Sequence, residues 1–164
     1  FVIACFSAHP LVGALREMTA SPAVGILDAP LLLASQLSPA VGILTTSPRW
    51  VPLLEHDLHI LHVAQICTAG VVSSGMSVLD LEHLPREQVL STLGRIAKDE
   101  LVGKRRAGAI VLGCAGMVGL KEEVARACGE GVRVIDPVES GVEVCKSLVR
   151  LGMRTSKVGM YASS

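Results

Sequence analysis

The sequence predicts an α/β fold of two pseudo-symmetric lobes, each with a mainly parallel sheet flanked by helices. Three observations point there: an aliphatic, aromatic-poor composition, an alternation of strand-like and helix-like segments, and an internal repeat. Half of the 164 residues are hydrophobic, yet only 2% are aromatic, and 16 are glycine. A core of Ala, Val, Leu and Ile packed closely around glycine suits a parallel sheet covered on both faces. Strands of such a sheet read as short unbroken apolar runs.

The runs of strand length are Phe1–Ala4, Ala23–Leu27, Val41–Leu44, Ala109–Leu112, Val132–Ile135 and, more weakly, Val158–Tyr161. Helical period is clearest over residues 86–102, where Val89, Leu93, Ile96, Ala97 and Leu101 share one face. Pro85 suits the first turn of that helix. Shorter helices are predicted over residues 10–18, 29–37, 118–128 and 139–150. Strands alternating with helices imply parallel pairing through crossovers.

The repeat organises these elements into lobes. Phe1-Val-Ile-Ala-Cys5 is an apolar run ending in cysteine, followed by small residues, a helix and a second strand ending in Asp28-Ala-Pro30. Ala109-Ile-Val-Leu-Gly-Cys114 repeats the pattern, and its second strand ends in Asp136-Pro137 at almost the same interval. The division predicted from it is a first lobe of residues 1–38 plus 138–164 and a second of 39–137. The second unit has a strand of its own upstream, Val41–Leu44, whereas only four residues precede Cys5. If the halves are related, about 70 residues of the first lobe are missing before Phe1, so it is predicted to be N-terminally truncated.

Composition also excludes function classes. Fifteen basic residues balance fifteen acidic ones, so no net field draws in nucleic acid or an anionic membrane. The most apolar stretch, Val24 to Thr45, is broken by Asp28, Pro30, Gln36 and Pro39, short of the roughly 18 clean residues of a span. Five cysteines without a CxxC pair fit a reduced, cytoplasmic setting better than a disulfide framework. The partner expected is a small molecule, with a homo-oligomer as a further expectation.

Cys5 and Cys114 are the sharpest candidates for chemistry. Each ends a buried strand, where open α/β sheets bind ligands, and each leads into a helix whose amides would favour a thiolate. Matched thiols facing one cleft suit inversion of a carbon centre. One thiolate removes a proton from one face while the other thiol supplies one to the opposite face. Backbone donors could steady the intermediate, and neither metal nor cofactor is required.

Ile3-Ala-Cys-Phe-Ser7 with His9-Pro10, Gly42-Ile-Leu-Thr-Thr46, Val78-Leu-Asp-Leu81, Val111-Leu-Gly-Cys-Ala-Gly-Met117, Val134-Ile-Asp-Pro137 and Thr155-Ser-Lys157 carry a resemblance. Together they resemble the hydantoin racemase family of the aspartate/glutamate racemase superfamily, over essentially the whole chain. The resemblance implies a cofactor-independent racemase or epimerase for hydantoin-like or allantoin-like nitrogen compounds. It implies that Cys5 and Cys114 share the acid and base roles. Ser7, Thr45, Thr46, Gly113, Ala115 and Gly116 would then line the substrate pocket. Two departures stand out: the chain has no asparagine, so the Asn-Pro-Asn-Thr loop usual in the family lies outside it, and Ala8 stands where many members carry Asp. The rival expectations are an inactive remnant that at most binds a ligand, and a single-cysteine α/β hydrolase.

Weaker signals have bland readings. His56, His59 and His62 recur every three residues, but a partly exposed helix or loop explains them better than a metal site. Asp28 and Asp136 are equally readable as pocket residues or as turn and helix-cap residues. Cys67, Cys128 and Cys145 read as structural, Lys104-Arg105-Arg106 reads as solvated surface, and no glycine pattern matches a nucleotide loop.

Overall fold

Successive side chains of a strand point to opposite faces, and here both faces find a cover. The structure, a computed structural model, describes residues 1–162. The last two residues of the predicted first lobe, Ser163 and Ser164, lie outside that range. The chain begins with β1 (Val2–Ile3), α1 (Pro10–Met18), β2 (Val24–Gly25) and α2 (Asp28–Ser35). It continues through β3 (Val41–Thr45), α3 (Trp50–Ile60), β4 (Gly70–Ser73), α4 (Val78–His83) and α5 (Arg86–Ile96). Then follow β5 (Ala109–Leu112), α6 (Lys121–Cys128), β6 (Arg133–Ile135) and α7 (Pro137–Arg150).

All pairing among the described strands is parallel. β3, β4, β5 and β6 form one sheet in the order β4-β3-β5-β6, and β1 pairs with β2 in a second. Val41 and Ile43 of β3, with Ala109 and Val111 of β5, join a cluster on one face that includes Leu31, Leu54 and Leu58. Leu44, Ile110 and Leu112 turn the other way, onto Val89, Leu93, Leu101 and Val124. Each such fully buried Leu or Ile contributes roughly 1.5–3 kcal/mol, so the sheet is held from both sides. At Gly42 an added Cβ would lie 2.6 Å from Leu101 Cδ2, so the helical layer can approach only a bare backbone there.

Helix starts follow local chemistry. His9 Nδ1 accepts from the Leu11 amide ahead of α1, with Pro10 at the first position. Asp136 Oδ1 accepts from the Val138 and Glu139 amides, so α7 begins at Pro137, two residues earlier than its apolar period suggests. Ser77 and Asp80 form a reciprocal capping box that starts the short α4.

Several expectations need correction. Val158–Tyr161 is no strand: Gly159 takes a φ of 75° and residues Gly159–Tyr161 form one 3₁₀ turn, with Val158 and Met160 exposed. An apolar run without a sheet edge to pair with does not become a strand. The helix expected over 86–102 is α-helical to Ile96 and then widens to a π-helix over Ala97–Lys104. β4 and α4 were not anticipated, and α3 only as a partly exposed helix or loop around His56 and His59. β4 carries only Val71 and Val72 as apolar residues and is specified by pairing with β3, which period cannot reveal.

Candidate active site

The carboxyl ends of β1, β3 and β5 meet around one cavity of about 220 Å³. Cys5 follows β1 by two residues, Cys114 follows β5 by two, and Thr45 and Thr46 close β3. All four line the cavity with Ser7, Gly113 and Ala115. The eighth expected residue, Gly116, is not part of the lining. Its amide donates to Cys114 Sγ at 3.4 Å.

Close packing fixes the strand ends. Thr45 Oγ1 donates to the Gly113 carbonyl at 3.2 Å, stitching the end of β3 to the end of β5. An added Cβ on Gly113 would come within 2.7 Å of Ile43 Cγ2 and 3.1 Å of the Leu44 carbonyl. Glycine before Cys114 is therefore a packing requirement. Thr46 is almost fully buried, and its carbonyl accepts from the Ser74 hydroxyl at 3.3 Å and the Gly75 amide at 3.2 Å.

The two thiols differ in setting. Cys5 is exposed, with its Sγ 3.3 Å from Ser7 Oγ. Cys114 is half-buried and caps a three-residue 3₁₀ turn, Ala115–Met117. The helix expected to favour its thiolate is reduced to that turn. Burial pushes the Cys114 thiol above its ordinary value; the Gly116 amide opposes this, and Cys5 across the cavity adds to it. Desolvation outweighs one amide. Beside Cys5 the following helix starts only at Pro10, and its Leu11 amide is already taken by His9.

The remaining lining was missed by sequence reasoning: Trp50 and Leu54 of α3, Val78 of α4, and Ala4 and Phe6 beside Cys5. Trp50 and Val78 stand half-exposed at the rim, while Leu54 and Phe6 are buried beneath. Among the described residues no charged side chain lines the cavity. The one available signal was the position of the sole tryptophan just past the Thr45-Thr46 strand end.

Other candidates fall elsewhere. Asp136 is a helix cap, and Asp28 opens α2 with its carboxyl pushed up by burial; neither lines the cavity. His56 and His59 lie on α3, whereas His62 is beyond its end at a φ of 56°. Among the described residues no three His, Cys, Asp or Glu side chains converge as a metal site. Cys67 is buried, its thiol pushed up to about 12 by desolvation, and Cys145 is buried under Phe1.

Parallel sheets whose carboxyl strand ends meet at one cavity place the candidate site where α/β folds bind ligands. Residues 1–145 match the Asp/Glu/Hydantoin racemase family, and the chain belongs to it. It is 39% identical over 164 residues to a hydantoin racemase of Rhizobium meliloti, covering 99% of this chain and 65% of that protein. The crystal structure of an allantoin racemase from Pseudomonas fluorescens superposes with a TM-score of 0.90 at 36% identity, covering 99% of this chain and 67% of that one. A glutamate racemase from Bacillus anthracis, at 16% identity and a TM-score of 0.65, shares the fold over 93% of this chain and 58% of its own. The chain thus spans about two thirds of the length of the hydantoin and allantoin racemases it matches. The family is one of racemases, and no helix among the described residues is long and apolar enough to cross a membrane.

Proposed function

We propose that this protein racemises a neutral, hydantoin-like or allantoin-like ring compound by proton transfer between Cys5 and Cys114. The observation that carries the reading is that two thiols from separate strand ends line one small cavity. A thiolate on one side takes the proton from the stereogenic carbon: the C–H bond breaks, an S–H bond forms, and the electron pair moves into the adjacent ring carbonyl. The opposite thiol then gives its proton to the other face, leaving a thiolate there, so the two exchange roles at each turnover. The step balances with the two thiols alone.

The lining supports an uncharged substrate. It offers hydroxyls from Ser7 and Thr46 and bare backbone around Ala115, and among the described residues no cation for a free carboxylate. Such donors can hold an enolate-like oxygen in a largely apolar pocket, where each hydrogen bond counts for more than in water. A mechanism that needs free thiols fits a reducing, cytoplasmic compartment.

Cys114→Ser is expected to lower racemisation by about 10²–10⁴-fold while leaving the circular-dichroism spectrum intact. Exchange of the substrate α-proton for deuterium in D₂O separates this reading from its rivals. A racemase exchanges without consuming substrate, a hydrolase consumes it, and a binding remnant does neither. Undiminished racemisation by the serine variant overturns the reading.

A further inference from the structure

The loop that carries Cys5 is fastened from the other side of the cavity. Ala8 donates its amide to Asp57 Oδ2 at 2.9 Å, and Asp57 belongs to α3, the helix that follows the Thr45-Thr46 strand end. Trp50, Leu54 and Asp57 are spaced as one face of that helix. Its first two members line the cavity, and the third reaches the loop. Phe6, next to Cys5, is buried in the same cluster as Leu54 and Leu58. Within the loop, Ser7 donates to the Cys5 carbonyl at 3.0 Å and His9 to the Ser7 carbonyl at 2.8 Å. The segment is therefore coiled tightly and held to α3 at two points, one apolar and one charged. Cys5, immediately before the first of them, is left exposed.

We infer that Asp57 is a positioning residue: its carboxylate fixes the Cys5 loop against α3 and so sets Cys5 opposite Cys114. This rests on the two-thiol reading above. A hydrogen bond to a carboxylate is about twice as strong as a neutral one, which suits a clamp between segments far apart in the chain. Proton transfer at a carbon is sensitive to displacements of about 1 Å, and a loosened loop misplaces one thiol while leaving Cys114 on its sheet.

The consequence is asymmetric. The enantiomers are equally stable, so kcat/KM must fall equally in both directions, but isotope exchange need not. With Cys5 displaced, the enantiomer deprotonated by Cys114 still picks up solvent deuterium on the same face. The enantiomer that needs Cys5 as base does not. In D₂O, D57A is expected to lower inversion about 10- to 100-fold while retaining exchange without inversion for one enantiomer only. D57N keeps an acceptor for the Ala8 amide and is expected to recover most of the rate. Amide hydrogen exchange over residues 5–9 should quicken in D57A and not in D57N.

Wild-type inversion rates with unchanged amide exchange over residues 5–9 in D57A overturn the inference. So does a proportional loss of exchange for both enantiomers, which marks a residue that only supports the fold. If the wild-type protein neither racemises nor exchanges hydantoin or allantoin, the two-thiol reading fails instead. The amide-exchange comparison then decides the clamp by itself.

Discussion

Cys114 sits among apolar neighbours, and that burial shapes the pH range in which the thiol pair can work. Under the proposed mechanism the active form carries one thiolate and one thiol. Activity is lost on the alkaline side when both ionise, and this second ionisation belongs to the pair. Burial and the facing Cys5 both push Cys114 upward. The alkaline limb of the kcat/KM profile is therefore expected above the ordinary thiol value of 9.0. A pH–rate profile measured with either enantiomer checks this, and a limb well below that value contradicts it. At this scale the sequence was readable where strands end. Thr45 and Thr46 were implied by the family resemblance, whereas Cys5 and Cys114 were legible as cavity residues because residues closing parallel strands converge at one edge. Asp57 was not, because its partner is the distant Ala8, and among Glu55, His56 and His59 it reads as one more residue of a solvated face.

Elements were legible wherever local rules act alone. The capped helices α1 and α7 and the apolar strands β3 and β5 follow from caps and runs that need no distant partner. β4 and the π-helical continuation of α5 do not, since pairing and packing specify them. α7 gives a direct test. Asp136 satisfies two of its first amides with one oxygen, and the side chain is buried. Asp136→Ala is expected to lower stability by about 1–2 kcal/mol, read as a reduced urea midpoint with an unchanged m-value. Because Asp136 stands outside the cavity, kcat of the folded variant should stay near that of the wild type.

For the molecule as a whole, the six described strands split into a four-stranded sheet with covered faces and a two-stranded one that is thinly defended. β1 hydrogen-bonds to β2 alone, and Leu32, Leu33, Leu37, Val149 and Leu151 are exposed. Unpaired strand edges and exposed aliphatics promote association. A polypeptide of these 164 residues is expected to associate as its concentration rises. Sedimentation velocity over a hundredfold range in concentration checks this, and a single monomeric boundary throughout contradicts it. The fold class was legible from composition because an aromatic-poor, glycine-rich core leaves few alternatives to buried parallel strands.

The cluster beneath the cavity has a further consequence for traffic. Phe6, Ile26 and Leu27 from the β1–β2 side pack in one continuous core with Ile43, Leu54 and Val111 from the larger sheet. Opening the two sides like a jaw would bring that core into water, at roughly 25 cal/mol for every Å² of apolar surface uncovered. Admission is cheaper at the rim, where Trp50 and Val78 already meet solvent. A ligand of the kind proposed is therefore expected to come and go past two side chains that can change rotamer in nanoseconds, while the thiols on either side stay in register.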